Sequence, residues 1–510
     1  MQYQDLEIKL PVSFSQNELK RIIGKMLHVK HFTYEILLQS LDARRKPDVH
    51  WQLRIRVISD ELKGNRYDAR PRLIIPYRMQ QQHVVVTGSG PAGFFAGFVL
   101  QKAGYRVTII EKGPMTNKRY EDILNFEAGS AFKANSNYCH GEGGAGTFSD
   151  GKLTSRTKGI ALEKQFVFES YVNAGAPEEI LYLAKPHIGS DNLRVVIPTL
   201  RRQFENLGGK ILFETEVTSL RIRGKKCTAV ITANSEIPCD LLILAPGHSS
   251  YNTYRMMRDH GILFRNKPFA IGVRVEHPQE LINLSQWQTN QLPGVKAAEY
   301  KLTFTSSEKL PVYSFCMCPG GKVIPSAPDD YQNIVNGVSD YARNSPFANS
   351  AIVVGIDPGK IIKKEPDFLE TLNWLELLER KIFDLTGSYQ IPGQRISDYI
   401  HQKTSSSIPL NSFPFGVFPY NFEELLPAEI TKSLREGMID FCEKIKGFET
   451  GLMMGLESKT SAPVQVLRDE HRRCEGFDNI FVIGEGSGYA GGITSSAVDG
   501  VKLAIELVNR

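Results

Sequence analysis

Val84-Val85-Val86-Thr87-Gly88-Ser89-Gly90-Pro91-Ala92-Gly93 is the stretch that decides the fold. Three β-branched residues in a row read as a short buried strand. The glycines then open an apolar helix from about Pro91 to Ala103. A second buried strand, Val107 to Ile110, ends at Glu111, 18 residues after Gly93. Strand, glycine turn, helix and strand in this order are the start of a βαβ unit. Each part has a physical task. Gly88 permits the tight turn, and Gly90 lets backbone approach a pyrophosphate. Gly97 allows the helix to pack close to the sheet. The helix start offers free N–H groups and a positive dipole end. Glu111 is placed to accept hydrogen bonds from ribose hydroxyls.

The same G-x-G-x-x-G pattern occurs twice more, which shows how little the bare pattern means. Gly141, Gly143 and Gly146 follow no strand and precede no clear helix. Gly486, Gly488 and Gly491 do follow a strand, Ile480–Ile483, and precede a helix. No further strand and acid come after them before Arg510, so this turn is expected to serve the first nucleotide or none. A second, dedicated NAD(P)H domain is not visible.

The rest of the chain sets the frame. It has 510 residues, 41% hydrophobic and 23% charged, which excludes a disordered chain, a collagen-like chain and a small disulfide scaffold. Net charge is +5, but residues 1–83 carry 15 Lys/Arg against 9 Asp/Glu and the remainder is close to neutral. Those 83 residues read as a small α/β unit. A strand is expected over 6–12, a helix from about Ser15, and strands over 34–41 and 50–58. In the last, Trp51, Leu53, Ile55 and Val57 face inward and Arg54 and Arg56 make a basic outer face. Pro71 and Pro76 mark the exit. Residues 113–155 read as loop. The start of the chain has no apolar signal region, and the uncharged run Met79–Gln101 suits a phosphate loop better than a membrane span. Seven cysteines in irregular spacing, with no C-x-x-C pair, read as free thiols of a cytoplasmic protein. No metal set is expected.

Longer stretches carry a resemblance. Gly88–Gly93 with Glu111, Leu241–Gly247, and Asn479-Ile480-Phe481-Val482-Ile483-Gly484-Glu485 together resemble the FAD-binding motifs of the glutathione-reductase-type flavoprotein fold. Asn137–Leu153, Phe315–Gly321 and Gly484–Gly492 resemble the uncharacterised FAD-dependent, NAD(FAD)-utilising dehydrogenase group within that superfamily. The resemblance covers most of the chain, including Ser40–Arg44. It implies an α/β (α+β overall) protein with a discontinuous Rossmann-like FAD/NAD(P)-binding domain over 84–262 and 456–510. A substrate or cap domain is inserted at 263–455, and the small α/β unit occupies 1–83. It implies noncovalent FAD and names no substrate. The final acid, usually aspartate in that fold, is here Glu485, where it faces the ribitol. Glu216-Val217 stands where backbone meets adenine. The cofactor-binding set is then Gly88, Gly90, Pro91, Ala92, Gly93, Glu111, Lys112, Gly143, Gly144, Gly146, Thr147, Asp150, Lys152, Val217, Ala245, Gly247, Gly484, Glu485, Gly492 and Ile493. The helix start near Ile493 suits the negative charge of a reduced flavin, and the 141–153 loop is slim enough to lie along a planar ring or a pyrophosphate.

Flavin performs the electron transfer itself, so the protein positions substrate and handles a proton. Cys139, Glu276, Cys318 and Glu457 are the catalytic candidates, with His140 and Lys459 as further proton handlers. Cys316 and Cys318 share a strand face by alternation, and Arg274 and Glu276 are expected to pair. The expected function is an FAD-dependent oxidoreductase acting on a small molecule, with NAD(P)H as a transient donor. The alternatives are a flavin-dependent RNA-modifying enzyme guided by residues 1–83, and a flavin-binding sensor or scaffold without turnover.

Overall fold

The strand read at 84–86 runs from His83 to Thr87 and is the middle strand of five. The computed structural model describes residues 1–46, 48–68, 71–362 and 366–510. The order across this sheet is Ile480–Val482, Leu241–Leu244, His83–Thr87, Arg106–Ile110 and Lys210–Leu212, every neighbour parallel. The central three strands have no polar alternation because helices cover the sheet. One cover is Pro91–Lys102 packed against Ile493–Val508. Their approach depends on Gly500, where a Cβ would stand 2.2 Å from the Ala92 carbonyl oxygen. Phe95, Val99, Phe481, Ala497 and Val501 fill this core, the Phe and Val side chains each worth about 1.5–3 kcal/mol when fully buried.

A second, seven-stranded sheet is built mostly from the middle of the chain. Its order is Thr303–Thr305, Pro311–Cys318, Phe347–Ile356, Phe269–Pro278, Leu452–Glu457, Ile391–Arg395 and Val417–Pro419. One face of Phe269–Pro278 is apolar: Ile271, Val273 and Val275 share a core with Leu372, Leu375, Leu434 and Met438 of helices Phe368–Asp384 and Ala428–Lys444. The alternate positions, Arg274 and Glu276, lie on the other face and are equally buried. A polar layer therefore lines one side of this sheet.

The N-terminal unit is a four-stranded antiparallel sheet, Thr33–Asp42, His50–Ser59, Gln2–Pro11 and Asn65–Arg66, under helix Gln16–Leu27. Ser15 caps that helix through the Glu18 N–H. Trp51 packs with the inner cluster. The basic outer face does not exist as read. Arg54 lies opposite Glu7 and Arg56 opposite Asp5, with Arg56 Nε 2.8 Å from the Asp5 carboxylate. Residues 113–155 also differ from their reading, because Thr116–Glu127 is a helix. Its buried side mixes Thr116, Arg119 and Asp122 with Ile123 and Phe126, so polar residues interrupt the inward stripe and weaken the hydrophobic periodicity. Among the described residues no helix is long and apolar enough to cross a membrane.

Candidate functional site

The parallel sheet delivers two helix starts to one edge. After Thr87 the chain turns at Gly88, whose φ is +95°. A Cβ there would sit 2.3 Å from the Ala245 carbonyl oxygen, and one on Gly93 would sit 2.0 Å from the Gly88 oxygen. These two glycines are demanded by the fold. Gly90 is different: the nearest atom to a Cβ there is Gly144 Cα at 3.9 Å. The Pro91 helix has Gly90 as N-cap and no side-chain cap, and the Ile493 helix has Gly492 and likewise none. Both therefore present unsatisfied N–H groups. Cβ positions on Gly247, Gly491 and Gly492 meet nothing within 4 Å.

The 137–153 loop joins these two helix starts. Arg119, fully buried, clamps it: Nε donates to Asn137 O (2.8 Å), Nη2 to Tyr138 O (3.0 Å), and Nη1 to Glu142 O (3.0 Å) and Gly144 O (2.8 Å). Burial lowers this guanidinium to about 10, against the neighbouring carboxylates. The Glu142 carboxylate accepts from Thr116 N–H and Oγ1 and from Arg201 Nε, each at 2.7 Å. Thr147 Oγ1 donates back to Glu142 O. At the near end, Gly144 lies against Gly90. At the far end, Thr494 Oγ1 donates to Leu153 O at 2.8 Å, and a Cβ on Gly146 would meet Ile493 at 3.3 Å. The sequence reading missed Arg119, Glu142 and Arg201. An arginine within Lys118-Arg119-Tyr120-Glu121-Asp122 reads as a solvated helix face, and no local pattern separates it from one.

Most of the expected cofactor set converges on this strip. Gly88, Gly90, Pro91, Ala92, Gly93, Gly143, Gly144, Gly146 and Thr147 form its first half, and Gly247, Gly484, Glu485, Gly492 and Ile493 its second. Ala245 backs the Gly88 turn. Glu485 Oε2 accepts from Gly492 N–H at 3.4 Å. Glu111 is engaged within the protein: its carboxylate accepts from Ser89 N–H (3.0 Å), Ser89 Oγ (2.7 Å) and Gly113 N–H (2.9 Å), and so braces the turn. Lys112 pairs with Glu216 at 3.6 Å, next to Val217 at the head of strand Val217–Arg223. A small open pocket lies there, lined by Lys112, Glu216, His140, Ser249, Tyr251 and Asp329 among others. An extended dinucleotide fits this construction: bare helix starts, glycines with open Cβ positions, and a preformed slim loop.

The catalytic candidates separate. Cys318 and Glu457 come together through Arg274. Its Nη1 lies 2.8 Å from Glu457 Oε2 and its Nη2 3.8 Å from Cys318 Sγ. Lys152 Nζ is also 3.8 Å from Cys318 Sγ and 2.7 Å from Asp150, which in turn meets Arg343. Against the pull of burial, Lys152 and Arg343 hold the Asp150 carboxyl below the usual range. Burial raises Glu457, and its Oε1 has no hydrogen-bond partner. Glu276 does not pair with Arg274 as expected. Arg274 reaches across to Glu457, while the Glu276 carboxylate accepts from Ser412 N–H (2.9 Å) and Ser412 Oγ, with burial pushing it up to about 7. Cys139 is remote from this group; its Sγ donates to Ser326 O at 3.2 Å, and burial raises it. Burial likewise pushes His140 down to about 3, so it is neutral. Lys459 is committed to Glu379 at 2.9 Å and lies over the Tyr251 ring. Alternation does not place Cys316 and Cys318, since the strand is irregular between Phe315 and Cys318 and Cys316 has φ +45°.

Residues 268–460 match the family model described as FAD-dependent protein, C-terminal domain-like. An uncharacterized protein of Clostridium beijerinckii is 35% identical over 526 aligned residues, covering 99% of this chain and 98% of that one. An L-amino-acid oxidase of Siganus canaliculatus is 38% identical over 71 residues, 13% of this chain and 14% of that one. Among solved structures, CtdE in complex with FAD superposes with a TM-score of 0.37 at 13% identity, over 84% of this chain and 85% of that one, too distant to carry an argument. The cofactor is FAD.

Proposed function

The chain belongs to one family with the Clostridium beijerinckii protein, and on that premise we propose that it is an oxidoreductase of the glutathione-reductase-like flavoprotein superfamily, holding FAD noncovalently. The observation that carries this reading is the pair of uncapped helix starts at Gly90 and Gly492, joined by the Arg119-clamped glycine loop. When bound, FAD accepts or releases two electrons. Residues 84–262 and 456–510 form the FAD-binding domain. Gly90 and the Pro91 helix start take the pyrophosphate, and the Ile493 helix start takes the charge that gathers on the reduced ring. Lys112, Glu216 and Val217 flank the adenine end. Residues 263–455 supply the substrate wall, and the N-terminal unit precedes them.

Substrate is a small molecule received over the polar face of the seven-stranded sheet, where Lys152, Cys318, Arg274 and Glu457 lie against the loop that reaches the Ile493 helix. Glu457 can hold one proton there, since burial favours its neutral form and Oε1 is unengaged. NAD(P)H acts as a transient electron donor. The seven free cysteines suit a reducing cytoplasm.

The test is the absorbance spectrum of the purified protein followed by anaerobic titration with NADH and NADPH. Flavin absorbance that is retained on gel filtration and bleached by one of them is the expected result. A colourless protein that refuses added FAD refutes the proposal.

A further inference from the structure

The pocket beside Lys112 and Glu216 is lined in part by the inserted region, through Asp329, Gln332 and Glu376. Gln332 sits in the 326–334 turn between strands Gly321–Pro325 and Val335–Ser339. Its neighbour Asn333 is fully buried and pins that turn, its N–H donating to Glu379 O (3.1 Å) and its Nδ2 to Gln390 O (2.7 Å). The start of the turn, Ser326, accepts the Cys139 Sγ bond at its carbonyl and is so tied to the glycine loop. Tyr251 also lines the pocket; it is 4% exposed, with Lys459 Nζ 3.7 Å over its ring. Tyr251 Oη and Gln332 Oε1 are both buried atoms with no hydrogen-bond partner among the described residues. The charged groups of the lining are engaged. Lys112 meets Glu216 at 3.6 Å, Arg255 Nη1 meets Glu376 at 3.0 Å, and Asp329 accepts from the Asp330 N–H at 3.0 Å. What is left buried and uncommitted is neutral: a phenol and a carboxamide.

We propose that Gln332 and Tyr251 bind the adenine of FAD, so that the inserted region reads the base of the cofactor. The inference rests on the FAD site proposed above. It adds two side chains, one from each region, to the Lys112–Val217 flank. A buried polar group without a partner is costly, so two at one pocket point to a ligand that supplies the partners. An uncommitted carboxamide matches an adenine edge, accepting from the 6-amino group and donating to a ring nitrogen. The phenol contributes a further donor. Neutral groups suit a neutral base, and they leave the phosphates to the Gly90 helix start. Because Asn333 and Ser326 already pin the 326–334 turn, little order is lost when the base binds. Gln332 is then the residue that selects for the 6-amino group, and Tyr251 strengthens binding of the same base. FMN, which has no adenosine, gains nothing from either.

Competition on the full chain tests this. The protein is stripped of flavin by dialysis against bromide and titrated with FAD, read by flavin fluorescence. ADP and inosine diphosphate, whose base carries oxygen in place of the 6-amino group, then compete. Wild type is expected to prefer ADP at least about ten-fold. Gln332→Leu should bind FAD about ten-fold more weakly and treat the two diphosphates alike, with FMN binding as in wild type. Tyr251→Phe should also weaken FAD binding, yet leave the melting temperature of the flavin-free protein no lower, since it removes an unpaired buried hydroxyl. A wild type that does not distinguish the two diphosphates overturns the proposal. So does a Gln332→Leu variant that keeps both the preference and the FAD affinity of wild type. A wild type that takes up no FAD fails the FAD reading instead. The wild-type competition needs no variant, so it stands even where Gln332→Leu does not fold.

Discussion

The two halves of the site are made in opposite ways. The cradle at Gly88–Gly93 and Gly484–Gly492 is built from backbone and from the absence of side chains. The polar layer at Cys318, Arg274 and Glu457 is built from long side chains that meet across strands 183 residues apart in sequence, as Arg274 and Glu457 do. A backbone site is local, so its logic is written in one short stretch. A side-chain site is assembled by the sheet, and no short stretch contains it. The two should therefore fail differently when changed.

The cradle offers the largest effects. Gly93→Val and Gly88→Val drive a Cβ into backbone at 2.0 and 2.3 Å, and we expect destabilisation above about 3 kcal/mol, seen as loss of soluble protein. Gly90→Val meets only Gly144 and should lower stability by less than about 1 kcal/mol while removing flavin. Thermal unfolding and flavin content measured together check both. If Gly90→Val keeps its flavin, the cradle assignment is broken.

In the polar layer, Arg274→Met leaves Glu457 buried and unpaired and should cost about 3–5 kcal/mol in denaturant unfolding. Glu457→Gln in that background should recover part of the loss, which separates the ion pair from simple packing.

Glu276 gives a pH signature of roughly 3 kcal/mol. Burial pushes its carboxyl up to about 7 in the fold from an ordinary value of 4.5, so the folded form holds the proton longer. Its contribution is fully present below pH 4.5 and is lost as pH rises through about 7. Glu276→Gln should flatten that part of the stability profile, and an unchanged slope would contradict the burial argument. The smallest change expected is at the N-terminal sheet. Arg56→Gln breaks a partly exposed pair with Asp5 and should shift stability by less than about 1 kcal/mol.

This contrast also explains what could be read in advance. Gly88, Gly93 and the strand before them were legible because steric demand at a turn leaves few residue choices. The Ile493 helix start was legible for the same reason. Arg119 was not, because what marks it is four carbonyl partners contributed by a loop, and carbonyls have no sequence signature. Arg274 was placed on the right strand face but given the wrong partner. The nearest acid in sequence was Glu276, and the sheet instead brought Glu457 within 2.8 Å. The basic strand face failed similarly, since cross-strand register supplies Asp5 and Glu7 and one strand cannot report its neighbour.

The pairing of the Pro91 and Ile493 helices has a consequence for biosynthesis. Tyr105 donates its hydroxyl proton to Leu507 O, 402 residues later, and Ala92 waits for Gly500 over a similar interval. At about 5–20 residues per second, roughly 20–80 s separate translation of the first glycine turn from that of the helix that completes its cradle. The early βαβ segment spends that interval on the ribosome without its covering helix. We expect FAD loading only after the 493–508 segment emerges, so stalled nascent chains that end before it should retain no flavin.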